Sequence, residues 1–80
     1  MIDKLLGNVL LEVKSYSWEG WTSTDGRYAQ FQNDIGRAYS NAVQSNHEFL
    51  LRMLNRPPQF VLNWLNKKGY DYVIETELWR

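Results

Sequence analysis

Asp3, Glu12 and Lys14 are the residues whose types and spacing could do chemistry in this sequence. Gly7 and Asn8 form a two-residue pair suited to a tight hairpin turn, so the segments on either side are predicted to pair as antiparallel strands. A turn at this pair places Asp3 opposite Glu12. Because side chains alternate along a strand, Asp3, Glu12 and Lys14 then project from one face of the hairpin.

Two carboxylates that face each other on a sheet repel unless a positive charge lies between them. A divalent cation supplies that charge, and carboxylate oxygens suit Mg²⁺ or Mn²⁺, which also accept water and phosphate oxygens. We therefore predict a metal site at Asp3 and Glu12, with the Lys14 ammonium assisting at the nucleophile or the phosphate. This arrangement suits phosphodiester hydrolysis. The competing interpretation is that Glu12 and Lys14 belong to an ordinary solvated strand face, and a three-residue loop would abolish the pairing of Asp3 with Glu12.

Composition limits the class of protein. The chain has 80 residues, is 44% hydrophobic, lacks cysteine and balances nine Lys and Arg against nine Asp and Glu. This size predicts a single domain over residues 1–80. The zero net charge excludes a strongly basic nucleic-acid packaging protein, and the lack of cysteine excludes a disulfide framework or a thiolate metal site.

The apolar runs are far shorter than the roughly 20 residues of a membrane span, and the first residues do not form a signal peptide. We expect a cytoplasmic protein without membrane association.

Apolar spacing predicts the elements that position these residues. Strands are predicted over 2–6 and 9–16, followed by a loop over 17–26 and a long amphipathic helix from Arg27 to about Ser45. Asp25 or Thr24 could cap this helix, and Gly36 within it costs about 1 kcal/mol relative to Ala unless close packing requires a small residue. A strand covered on both faces follows over 49–54, then a helix that opens at Pro57 or Pro58 and ends at Gly69, then a strand over 70–78. The order is β-hairpin, helix, strand, helix, strand, an α/β domain with a mixed sheet.

Asp3 followed by a strand carrying Glu12-Val13-Lys14 resembles the motif of the PD-(D/E)xK phosphodiesterases, the restriction-endonuclease-like nuclease superfamily. The predicted helix, strand, helix and strand match the rest of that fold's core. The run 9–16, with Arg56-Pro57 ahead of a helix, is similar to restriction-endonuclease-fold toxin domains of bacterial polymorphic and contact-dependent toxins. The resemblance implies a DNA endonuclease with Asp3 and Glu12 as Mg²⁺ or Mn²⁺ ligands and Lys14 as the catalytic lysine. For a toxin module it also implies a cognate immunity protein and action in the cytoplasm of a target cell.

Many members of that superfamily add a Gln on the following helix. Gln32 is the candidate here because it flanks the buried stripe centred on Ile35, whereas Arg37 and Gln44 are expected to point away from the sheet. The family core begins with a helix, and this chain begins two residues before Asp3, so that helix is expected to be absent. The strand edge it would leave open favours a homodimer or the docking of a partner.

The aromatic loop carries the remaining candidates. Trp18 and Trp21 could stack on nucleobases, with Arg27 beside them as a nucleic-acid contact, and the alternative is that both indoles cover a small core. His47 is interpreted as structural because no Ser or Asp spacing supports a triad. The alternative function is a non-enzymatic interaction module, or an inactive nuclease remnant, that binds a protein partner through the loop from Trp18 to Trp21.

Overall fold

Three strands and two helices follow one another along the chain. The computed structural model describes residues 8–77. In chain order the elements are β1 (Val9–Lys14), α1 (Gly26–Gln44), β2 (Glu48–Met53), α2 (Gln59–Lys68), β3 (Tyr72–Ile74) and a 3₁₀ helix (Glu75–Glu77).

The strands form one parallel sheet in the order β1-β2-β3. Each helix carries the chain to the next strand in the same direction across the sheet, and because such crossovers are right-handed, both helices cover the same face. The rings of Phe31 in α1 and Trp64 in α2 agree with this arrangement, since their centroids lie 6.0 Å apart. The predicted α/β class is confirmed. The described strands are all parallel, and the antiparallel strand predicted over 2–6 lies outside the described residues.

Helix α1 begins and ends close to where its apolar spacing predicts. The Oδ1 atom of Asp25 accepts a hydrogen bond from the backbone N–H of Arg27 at 2.8 Å, which caps the first turn. Its buried side chains follow the three-and-four spacing of one helix face: Tyr28, Phe31, Ile35, Ala38 and Ala42. A Cβ added at Gly36 would meet no atom within 4 Å, so close packing does not require glycine there.

Helix α2 and β3 differ in how well their bounds were predicted. Helix α2 follows Pro58 and ends at Gly69, which has the left-handed φ of 77° that a helix C-terminus often adopts. The predicted strand over 70–78 is too long, since β3 ends at Ile74 and a 3₁₀ helix follows. Ile74 pairs with Met53, the last residue of β2, so the chain beyond Ile74 has no neighbouring strand to pair with in the described sheet.

The two faces of the sheet are covered differently. On the helix side, Leu51 and Met53 are fully buried against α1 and α2. On the other face, the β1 side chains Val9, Leu11 and Val13 are 38%, 48% and 49% exposed within the described part of the chain. The strand predicted over 49–54 to be covered on both faces is buried on its helix side alone, since Leu50 and Arg52 on its other face are only half-buried.

Candidate functional site

Glu12 and Lys14 lie on the helix-facing side of β1. In the parallel register Glu12 pairs with Leu51 and Lys14 pairs with Met53, so both charged side chains continue the rows of buried side chains from β2. Strand β1 pairs on one side with β2, and its polar side chains lie at the rim of the core. The ammonium Nζ of Lys14 lies 3.3 Å from Oε2 of Glu12. The sequence spacing therefore brings these two predicted site residues together.

Asp34 on α1 reaches the same ammonium from the other side. Its Oδ2 atom lies 3.7 Å from Lys14 Nζ. Its Oδ1 atom accepts a hydrogen bond from Nε2 of Gln30 at 3.1 Å and lies 3.8 Å from Nη1 of Arg37. The Lys14 side chain is 16% exposed and that of Asp34 is 25% exposed, so this ion pair is more shielded from water than a typical surface pair. Two carboxylates, one from the sheet and one from the helix, thus flank one lysine.

These side chains line an open, polar pocket of about 210 Å³ between β1 and α1. Its lining residues are Glu12, Lys14, Asp34, Arg37, Ala38 and Asn41. Oxygen donors and two cationic groups in one pocket can hold a phosphate together with a hard cation.

The side chains of the pocket can supply part of the ligand set of Mg²⁺ or Mn²⁺. Within residues 8–77 no group of three or more His, Cys, Asp or Glu side chains is placed to hold a metal. Both carboxylate oxygens of Asp34 already have partners in Lys14, Gln30 and Arg37, so Glu12 is the carboxylate offered to a cation. Mg²⁺ commonly takes one or two protein carboxylates while keeping water and phosphate oxygens as its other ligands. The pocket is therefore suited to a cation that arrives with its substrate rather than to a fully protein-built metal cage.

The predicted partner carboxylate, Asp3, lies outside the described residues, so its pairing with Glu12 stays a prediction. The described part of β1 has the orientation that this pairing needs. The carbonyl of Asn8 accepts a hydrogen bond from the N–H of Glu48 at 2.6 Å, toward β2. Because the peptide bond is planar and trans, the N–H of Val9 points the opposite way, away from β2, as a turn at Gly7 and Asn8 would require.

Gln32 is not brought to the pocket. Successive helix residues differ by about 100°, so Gln32 and Asp34 project from nearly opposite sides of α1. Gln32 lies on the flank of Tyr28 and Tyr39, whose rings contact Phe60 and Tyr70. Among the residues that line the pocket, α1 contributes Asp34 and its neighbours along the other flank.

Trp18 and Trp21 are buried, 5% and 9% exposed, and their ring centroids lie 4.7 Å apart. Both rings also contact Tyr16, and the indole N–H of Trp18 donates to the carbonyl of Asn55 at 3.1 Å. Arg27 lies over the Trp21 ring, 5.2 Å from its centroid, and forms an ion pair with Asp25. The two indoles therefore lie in the core and are not among the residues that line the pocket.

Sequence reasoning missed Asp34, Arg37 and Asn41. Their signal was present in α1, since Asp34 lies one residue before Ile35 and so borders the buried stripe. Arg37 was expected to point away from the sheet. Its side chain is 70% exposed and lies at the pocket rim, with Nη1 3.8 Å from Oδ1 of Asp34.

Comparison with family models, curated proteins and solved structures gave no match to this chain. The helices described here are all too short or too polar to cross a membrane.

Proposed function

We propose that this chain hydrolyses phosphodiester bonds of DNA with Mg²⁺ or Mn²⁺, as a restriction-endonuclease-like nuclease of the kind found in bacterial toxins. One observation carries the proposal: Glu12 and Lys14, two positions apart on β1, line a single polar pocket together with Asp34. The contact with Asp34 distinguishes this pocket from a strand face on which Glu12 and Lys14 pair only with each other.

The roles follow from the chemistry of each group. Glu12 offers its carboxylate oxygens to the cation, which when bound supplies Lewis-acid stabilisation of the phosphate charge. Lys14 places its ammonium at the pocket, where it stabilises the negative charge that develops on the phosphate oxygens. Arg37 lines the same pocket and would contact a neighbouring phosphate of the substrate backbone.

The charge balance of the whole chain affects how substrate would bind. With a formal net charge of zero, the protein has no overall field that attracts DNA. Attraction must come from local groups, and Lys14 and Arg37 are the cationic side chains that line the pocket. Because few phosphates are then neutralised, binding should weaken only modestly with added salt.

The test is cleavage of plasmid DNA with Mg²⁺ or Mn²⁺. Glu12→Gln and Lys14→Met should each lower the rate by roughly 100-fold or more, since each removes a group that acts on the reacting phosphate. The matched controls are Glu19→Gln and Lys67→Met, which make the same chemical changes at exposed positions and should leave the rate within about twofold.

A negative result is also informative. If the wild-type protein leaves DNA intact at high concentration with either cation, the nuclease proposal fails and a non-enzymatic interaction module is favoured. A calorimetric titration with Mn²⁺ is a simpler experiment that distinguishes a nuclease from an interaction module. A nuclease should take up Mn²⁺ and lose affinity on Glu12→Gln, whereas no uptake by the wild type would count against catalysis.

A further inference from the structure

We propose that Asp34 is a positioning residue that holds the Lys14 ammonium at the pocket, an inference that rests on the proposed function. Asp34 is not among the site residues predicted from the sequence. It contacts Lys14 across the gap between α1 and β1, with 3.7 Å between Oδ2 and Nζ.

Lys14 needs such a partner because its side chain is long and flexible. A lysine has several freely rotating bonds, and ordering it costs conformational entropy. Glu12, two residues away on the same strand, lies 3.3 Å from the ammonium, and the ring centroid of Tyr16 lies 5.9 Å from it. Both partners are neighbours of Lys14 in sequence, so neither contact ties the ammonium to α1. A second carboxylate from the helix holds the ammonium between the sheet and α1.

Asp34 is itself held in place. Gln30, one turn earlier in α1, donates to its Oδ1 atom at 3.1 Å, and Arg37, one turn later, lies 3.8 Å from the same atom. Both partners contact Oδ1, and Oδ2 is the oxygen that lies nearest to Lys14. Because an aspartate side chain is short, the rigid helix backbone fixes where its carboxylate lies, and the position of Lys14 follows from that.

A positioning role and a ligand role for Asp34 predict different kinetics. If Asp34 only orients Lys14, its loss lowers kcat because the ammonium no longer lies where the phosphate charge develops. The affinity for the cation and for substrate should then change little. If Asp34 is a cation ligand, its loss lowers the affinity for Mn²⁺ as well.

The experiment compares Asp34→Asn with wild type in phosphodiester cleavage and in Mn²⁺ titration. We expect kcat to fall roughly 10-fold to 100-fold, with KM and the Kd for Mn²⁺ within about twofold. Asp34→Glu keeps the carboxylate and should restore part of kcat. Gln30→Met frees Oδ1 of Asp34 and should cause a smaller loss, whereas Asp71→Asn, at an exposed position before β3, should change nothing. An unchanged kcat in Asp34→Asn, or a weaker Kd for Mn²⁺, would overturn the proposal.

A second readout does not depend on activity. NMR relaxation of the Lys14 ε-methylene should show restricted motion in the wild type and freer motion in Asp34→Asn, with Lys67 unchanged in both. If the wild type cleaves no DNA but this difference is seen, the nuclease proposal fails while the positioning contact stands. If the Lys14 ε-methylene is equally mobile in both proteins, Asp34 does not position Lys14 and the inference is wrong.

Discussion

At the level of single residues, Asp25 links the aromatic loop to α1. Its carboxylate accepts from the backbone N–H of Arg27 at 2.8 Å and from Arg27 Nε at 3.0 Å. Arg27 in turn lies over the ring of Trp21. The side-chain hydrogen bond from Arg27 holds the pKa of Asp25 below its ordinary value of 3.8.

This lowered pKa predicts an acid-dependent loss of stability. A carboxyl whose pKa is lower in the folded chain than in the unfolded one stabilises the fold at pH values above its ordinary pKa, and that contribution disappears as the pH falls through the folded pKa. Asp25→Asn keeps a side-chain oxygen for the helix cap and removes only the charge. Thermal unfolding should therefore give the wild type a higher Tm than Asp25→Asn at pH 7. The difference in Tm should narrow as the pH falls below the ordinary pKa of an aspartate, and a difference that does not narrow with falling pH would assign the effect to another group.

Single residues also show what sequence could and could not reveal about the site. The pairing of Glu12 with Lys14 was predictable because side chains two apart on a strand share a face. The position of Asp34 beside the buried stripe was also visible, but its contact with Lys14 was not, because that contact depends on how the 19 residues of α1 cross back over β1 and on the rotation of that helix about its axis. Trp18 and Trp21 suit both base stacking and core packing by residue type, and only the surrounding rings of Tyr16 and Phe31 place them in the core.

At the level of elements, two glycines are predicted to respond oppositely to alanine. Gly36 lies inside α1, where an added Cβ meets no atom within 4 Å, so Gly36→Ala should raise the free energy of unfolding by about 0.5–1 kcal/mol. Gly69 ends α2 with φ of 77°, so Gly69→Ala should lower it by about 1–2 kcal/mol. Urea denaturation of the two variants measures both. A loss of stability in Gly36→Ala would mean that α1 packs more closely there than the structure shows.

The helices were easier to predict than the strands for a physical reason. The bounds of α1 and α2 are set by local signals, such as the cap at Asp25 and the left-handed glycine at Gly69. The length of β3 depends on where its neighbour ends, since pairing stops at the contact of Met53 with Ile74. Beyond it, Glu75 forms an ion pair with Arg52 and Glu77 forms one with Arg56, which suits the 3₁₀ turn. A strand end that is set by pairing with a neighbouring strand cannot be located from the local sequence pattern alone.

At the level of the whole molecule, the fold has one layer of helices on one layer of sheet. Strand order β1-β2-β3 with two right-handed crossovers puts α1 and α2 on the same side, so the buried apolar side chains gather there. The pocket lies at the rim of that layer, where β1 is the last strand of the described sheet and α1 crosses it. At this position the polar side chains of the pocket contact water, while β1 and α1 hold the backbone of the residues that carry them.

The unequal covering of the sheet predicts unequal costs for the same substitution on its two faces. Leu51, at the centre of β2, is fully buried, and Leu51→Ala should cost about 2–5 kcal/mol, a large part of the roughly 5–15 kcal/mol that stabilises a small domain. Leu11, on the opposite face of β1, is 48% exposed, and Leu11→Ala should cost about 1 kcal/mol or less. Urea denaturation of both variants gives the comparison. An alanine at an exposed position leaves no cavity, so Leu11→Ala should lose much less stability than Leu51→Ala. Equal losses of stability would therefore mean that Leu11 is covered in solution.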